Sequence, residues 1–128
     1  MSHWSLWVLL VLGLNPGLSF GDVEEKTLIV DGAARQYLVY VPEGMKPNAP
    51  LVLVFHGYAG TARQPMAYSG MNEQSDQHRF LVAYPQGIED AEGFPFFNVG
   101  YSMHLESDVD DIMSVSYTHL TLPTICSV

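Results

Sequence analysis

In "LVLVFHGYAG", residues 51–60, an unbroken apolar run meets His-Gly at the edge of a glycine-bearing loop. No position from Leu51 to Phe55 is polar, the pattern of a strand covered on both faces. His56 and Gly57 then predict a sharp turn out of that strand. On its N-terminal side, Pro42 through Pro50 reads as a loop with three prolines. Before that loop, "KTLIV" (Lys26 to Val30) and "RQYLVYV" (Arg35 to Val41) are β-rich runs around Asp31-Gly32, a pair that favours a hairpin. In the second run Tyr37, Val39 and Val41 alternate with Gln36, Leu38 and Tyr40, so both faces are at least half apolar.

On the C-terminal side, "PMAYSGMNEQSDQHR" predicts a helix on Met66, Tyr68 and Met71 that Gly70 weakens. "FLVAYPQG" (Phe80 to Gly87) predicts a fourth strand, ended by Pro85 and Gly87. An aromatic-rich loop follows, "GFPFFNVGYSMH", and then Ser107 or Asp108 stands where it can cap a helix whose first turn is acidic. The order strand, strand, strand, helix, strand, helix start is that of the opening half of an α/β sheet.

The 128 residues carry 5 Lys and Arg against 14 Asp and Glu, a net charge of −9. Such a balance repels phosphates and argues against nucleic-acid or anionic-membrane binding. Every charged residue falls between Asp22 and Asp111, so both ends differ from the middle. "LWVLLVLGL", Leu6 to Leu14, has signal-peptide length and is too short to span a bilayer. Ser19 and Gly21 supply small residues for a cut before Asp22, so residues 1–21 are expected to be a cleaved leader of a secreted protein. At the other end, "VSYTHLTLPT" (Val115 to Thr124) is what a transposase-type sequencing adapter encodes when read in frame. Residues 115–128 are therefore expected to be a non-native tail, and His119 and the single cysteine, Cys126, carry no functional weight. The domain is expected within residues 22–114.

Several spaced motifs carry a resemblance. Arg35-x-Tyr37-x-x-Tyr40-x-Pro42, Pro50-Leu-Val-Leu-Val-Phe-His56-Gly57, Ser69-Gly70, Tyr84-Pro85-x-Gly87, Asn98 and Asp108-Val-Asp-Asp111 occur in order over about residues 27 to 112. Together they resemble the N-terminal half of the secreted polyhydroxybutyrate depolymerase and feruloyl esterase-like α/β-hydrolases. One departure is Phe97, where many relatives carry Trp before the Asn. The resemblance implies a truncated α/β-hydrolase fold with its first four strands in the spatial order 1-2-4-3. It also implies acyl transfer from esters through a serine nucleophile, with no metal or cofactor.

In that fold one oxyanion donor comes from the loop after the third strand, which makes the Tyr58 backbone N–H the candidate, in an oxyanion loop of His56, Gly57 and Tyr58. "GYAGTA" lacks the G-x-G-x-x-G spacing of a dinucleotide-binding turn. His56 reads as a loop histidine rather than a base, because the catalytic histidine comes last in chain order. No Gly-x-Ser-x-Gly elbow occurs; the nearest string is Gly100-Tyr101-Ser102-Met103-His104, where His104 is too large for the elbow turn. The triad is thus expected to be absent from this chain, leaving it inactive alone and poorly folded.

His104, Glu106, Asp108, Asp110 and Asp111 lack EF-hand spacing and read as a solvated acidic loop and helix start. Phe94, Phe96, Phe97 and Tyr101 read as cover for a core edge, with a substrate mouth as the alternative. Rival readings are an oligopeptidase or dienelactone-type hydrolase, or a secreted binding module that shares the sheet. An elbow, acid and histidine downstream would favour the enzymes.

Overall fold

The computed structural model describes residues 21–99 together with Ser102, Ser107, Asp111 and Val115. The apolar leader up to Phe20, the tail from residue 116, the residues flanking Ser102 (Gly100, Tyr101 and Met103 to Glu106) and the acidic run Asp108 to Asp110 lie outside the described residues.

Two strands, β1 (Asp22–Val30) and β2 (Ala33–Val41), pair antiparallel in the register Asp22↔Val41 to Val30↔Ala33. The Asp31-Gly32 turn between them has both residues at positive φ, 49° and 79°, as a two-residue hairpin loop requires. After the proline loop come β3 (Leu51–Leu53), α1 (Arg63–Tyr68), α2 (Met71–His78) and β4 (Leu81–Pro85). β4 runs antiparallel to β2 and parallel to β3, so the four-stranded sheet has the order β1-β2-β4-β3 that the resemblance implies. A small hairpin of β5 (Ile88–Glu89) and β6 (Pro95–Phe96) stands apart from that sheet.

The period-two pattern of β2 separates two cores. Tyr37 and Val39 pack with Leu81 and Ala83 on one face, joined by Leu28, Met45, Leu51 and Leu53. Leu38 and Tyr40 pack with Val82 and Tyr84 on the other, where Ala62, Met66 and Met71 lay the helical layer over the sheet. β4 is buried along its whole length because it has a strand on each side and a core on each face. The expectation that residues 51–55 would be covered on both faces does not hold: β3 is half-buried and Phe55 is 41% exposed. β3 pairs only with β4 among the described strands, so an apolar strand sits at the sheet edge.

The single helix read over Pro65 to Arg79 is two helices. Gly70, at φ +68°, stops the first and begins the second, a conformation glycine adopts without strain. Ser69 Oγ, 3.3 Å away, accepts from the Met71 N–H at the restart. Asp111 is not solvated. It is buried, ion-paired with the buried Arg35 of β2, and accepts the Asn98 N–H on its second oxygen. Arg35 Nε has no hydrogen-bond partner among the described residues, so this buried pair is only partly satisfied. Gly21, the last residue of the expected leader, donates its N–H to the Tyr40 hydroxyl at 2.9 Å, and that hydroxyl donates to Asp76 at 2.8 Å. Burial and Asp76 both push the Tyr40 ionisation up.

Candidate active site

The chain leaves the C-terminal end of β3 through one further sheet bond, Val54 N–H to Ala83 O at 2.9 Å, and enters the His56–Gly60 turn. Gly57 O accepts the Gly60 N–H at 3.0 Å, closing a four-residue turn. Ala59, its third residue, has φ +60°, the left-handed value that type II turns require and that usually selects glycine or asparagine. Gly60 cannot carry a side chain: a Cβ there would lie 2.9 Å from Gly57 O and 3.2 Å from the His56 Cβ.

His56 is 5% exposed, and both of its ring nitrogens are used. Nε2 accepts the Gly87 N–H at 2.9 Å, so the ring proton must sit on Nδ1, which donates to Gly57 O at 2.6 Å. An imidazole engaged in this way ties the end of β3 to the end of β4. It also orients a peptide plane. Gly57 O is held by two donors, His56 Nδ1 and the Gly60 N–H, and there is no cis peptide bond among the described residues. In a trans peptide the N–H points opposite the C=O, so pinning Gly57 O sets the direction of the Tyr58 N–H.

The other wall is the β5–β6 hairpin. Ala59 N–H donates to Pro95 O at 2.8 Å, and Tyr58 Oη donates to Asp90 Oδ2 at 2.7 Å. The Tyr58 ring lies 5.9 Å from that of Phe94, and Phe97 packs on both His56 (4.7 Å) and Phe55 (5.0 Å, edge to face). Phe97 is thus in contact with the loop histidine. Phe96 is buried beneath, while Phe94 and Tyr58 remain exposed, so the aromatic segment is part core and part rim. Tyr101 lies outside the described residues.

Gly87 explains the Tyr-Pro-x-Gly string physically. A Cβ at Gly87 would meet Phe96 O at 2.4 Å and Phe96 N at 2.9 Å, so only glycine lets the hairpin close over the histidine. Gln86 completes the joint. Its Oε1 accepts the Ala62 N–H (2.9 Å) at the start of α1, which turns its Nε2 toward His56 Nε2 and Gly87 O, at 3.3 and 3.2 Å. Sequence reasoning singled out His56, Gly57 and Tyr58 and did not place Gln86, Asp90 or Pro95 around them.

The Asp90 carboxylate beside Tyr58 is met by three donors. Asp90 accepts the Tyr58 hydroxyl and the N–H groups of Glu92 (3.1 Å) and Phe94 (2.8 Å). The bond to Asp90, with lesser help from desolvation and from the Asp90 and Glu92 charges, pushes the Tyr58 ionisation up to about 12. Ser102 is exposed in 3-10 geometry, and neither flanking small-residue position of an elbow is among the described residues. Among the described residues no group of His, Cys, Asp and Glu is arranged to hold a metal ion.

No family model matches the chain. Over 51 residues it is 45% identical to poly(3-hydroxyalkanoate) depolymerase C of Paucimonas lemoignei, covering 40% of this chain and 12% of that protein. Over 56 residues it is 34% identical to the bifunctional acetylxylan esterase/xylanase XynS20E of Neocallimastix patriciarum, covering 44% of this chain and 8% of that protein. The chain therefore spans a small part of the length of these relatives. In structure it is similar to S-formylglutathione hydrolase (FrmB) of Staphylococcus aureus, with a TM-score of 0.55 and 20% identity, covering 82% of this chain and 43% of that one, a likeness of fold alone. With the sheet order and the turn after β3, these matches make the chain similar to part of the polyhydroxybutyrate depolymerase and feruloyl esterase-like α/β-hydrolases.

Proposed function

We propose that this chain is the N-terminal part of a secreted serine esterase, and that the Tyr58 N–H is one of its oxyanion donors. The observation that carries this reading is the pinned Gly57–Tyr58 peptide at the C-terminal end of a parallel strand. A donor held in place before the reaction stabilises the charge that develops on the carbonyl oxygen without reorganising at that moment. A serine attacks the ester carbon, the oxygen becomes negative beside the Tyr58 N–H, and the alkoxide leaves with a proton from the histidine base. Water then hydrolyses the acyl-enzyme. The serine, acid and base of that scheme belong to sequence beyond this chain, and the 128-residue chain is inactive alone. The names of the relatives support polyhydroxyalkanoate or acetyl esters as substrates, and the sequence resemblance adds feruloyl esters. The apolar leader supports secretion.

The test starts from the gene. Its uninterrupted reading frame is expected to diverge from the present sequence at about Ser114 and to supply an elbow serine, an acid and a histidine. In that product, Tyr58→Pro removes the N–H at a turn position where proline is well tolerated, and kcat on p-nitrophenyl acetate is expected to fall about 100- to 1000-fold. Tyr58→Ala keeps the N–H and is expected to lose much less. Equal losses in the two variants would assign the effect to the side chain and sink the oxyanion role.

A further inference from the structure

We propose that Asp90 is a positioning residue for this site, acting through Tyr58: it holds the Tyr58 hydroxyl so that the N–H of the same residue keeps its aim. The proposal rests on the esterase reading above. Asp90 is itself fixed at four points. Its own N–H donates to Phe94 O (2.9 Å) and its C=O accepts the Gly93 N–H (3.0 Å). Oδ1 accepts the N–H groups of Glu92 and Phe94. The carboxylate is therefore a rigid strut of the β5–β6 hairpin, and Oδ2 presents one fixed acceptor to the Tyr58 hydroxyl, 2.7 Å away.

The turn at Tyr58 calls for such a strut. The residue is 57% exposed, packs on Phe94, and precedes Ala59, whose positive φ makes the turn strained. The upstream peptide is pinned by His56 and Gly60, and the downstream amide by Pro95 O. Asp90 supplies the third restraint, on the side chain of the residue between them. The raised Tyr58 ionisation agrees with this, because the hydrogen bond to Asp90 is its largest cause. Three accepted hydrogen bonds also spread the Asp90 charge, so the latch does not set a bare anion beside a developing oxyanion.

The test uses the uninterrupted gene product and a double-variant cycle of Tyr58→Phe and Asp90→Ala. Each single variant is expected to lower kcat about tenfold with KM changed less than about twofold, and the double variant to be no worse than either. Asp90→Asn keeps an acceptor for the hairpin and a polar partner for the phenol, and is expected to restore most of kcat. Amide exchange of the peptide carrying Ala59 and Gly60 is expected to speed up in both single variants. A loss in Asp90→Ala without one in Tyr58→Phe would reduce Asp90 to a hairpin cap and overturn the proposal. Additive losses, or a change in KM instead of kcat, would overturn it too. If the wild-type product hydrolyses no ester, the esterase reading and the catalytic role fail together. Exchange in the same variants then shows separately whether the latch itself exists.

Discussion

Ala59 and Gly87 mark the two places where the site leaves least freedom to the sequence. Ala59 occupies a left-handed position that costs a non-glycine residue about 1 kcal/mol or more. Ala59→Gly in the uninterrupted product is expected to gain about 1 kcal/mol of stability in urea titration. Gly87→Ala has the opposite sign. Its Cβ would press on the Phe96 backbone, and a loss of about 1–3 kcal/mol or more is expected, with the His56 bond to Gly87 broken. Tyr58 adds a pH signature. Its ionisation is raised in the folded protein to about 12, so its contribution to folding is whole below pH 10 and is lost as pH rises through about 12. The tyrosinate absorbance of wild type minus Tyr58→Phe is expected to titrate near 12, and to titrate lower when Asp90→Ala is the background. His-Gly and Tyr-Pro-x-Gly were legible in the sequence as turns. That His56 reaches Gly87 was not, because neither string carries information about which loop it will meet.

Elements with a period were the readable ones. From Arg35 to Val41, β2 sends successive apolar residues to two faces, and β4 is a run of apolar residues ended by proline and glycine, so both emerge from pattern alone. The β5–β6 hairpin has two residues per strand, too few to display any alternation, and was read as loop. The Arg35–Asp111 pair was equally silent: its members stand 76 positions apart, and an acidic run looks solvated unless its basic partner is known. That pair links β2 to the segment around Asn98 and should behave as buried ion pairs do. Arg35→Met alone, or Asp111→Leu alone, leaves one charge buried and is expected to cost about 3–5 kcal/mol in denaturant unfolding. The double variant removes both charges, along with the unpartnered Arg35 Nε, and is expected to recover most of that loss. Equal destabilisation in single and double variants would mean that packing, not charge, dominates at this joint.

At the scale of the whole molecule, the sheet order decides how the 128-residue chain behaves when made alone. The two cores meet along β4, and β3 closes neither of them: it is half-buried, apolar at every position, and has β4 as its only paired neighbour among the described strands. An apolar edge with unspent N–H and C=O groups pairs readily with another copy. The exposed Phe55 just beyond it enlarges the sticky surface. Among the described residues, α1 and α2 lie over one face, while Met45 packs on the opposite core. A net charge of −9 opposes association only weakly at physiological salt, where the Debye length is about 8 Å. The chain alone is therefore expected in inclusion bodies or as a dye-binding, loosely packed species, with no hydrolysis of p-nitrophenyl acetate above buffer. Charged substitutions on the edge, such as Val52→Lys, are expected to raise solubility by placing a charge where a second copy would pair. A soluble monomer of the unaltered chain, melting in one cooperative step, would show that the edge is less exposed to self-pairing than the sheet order requires.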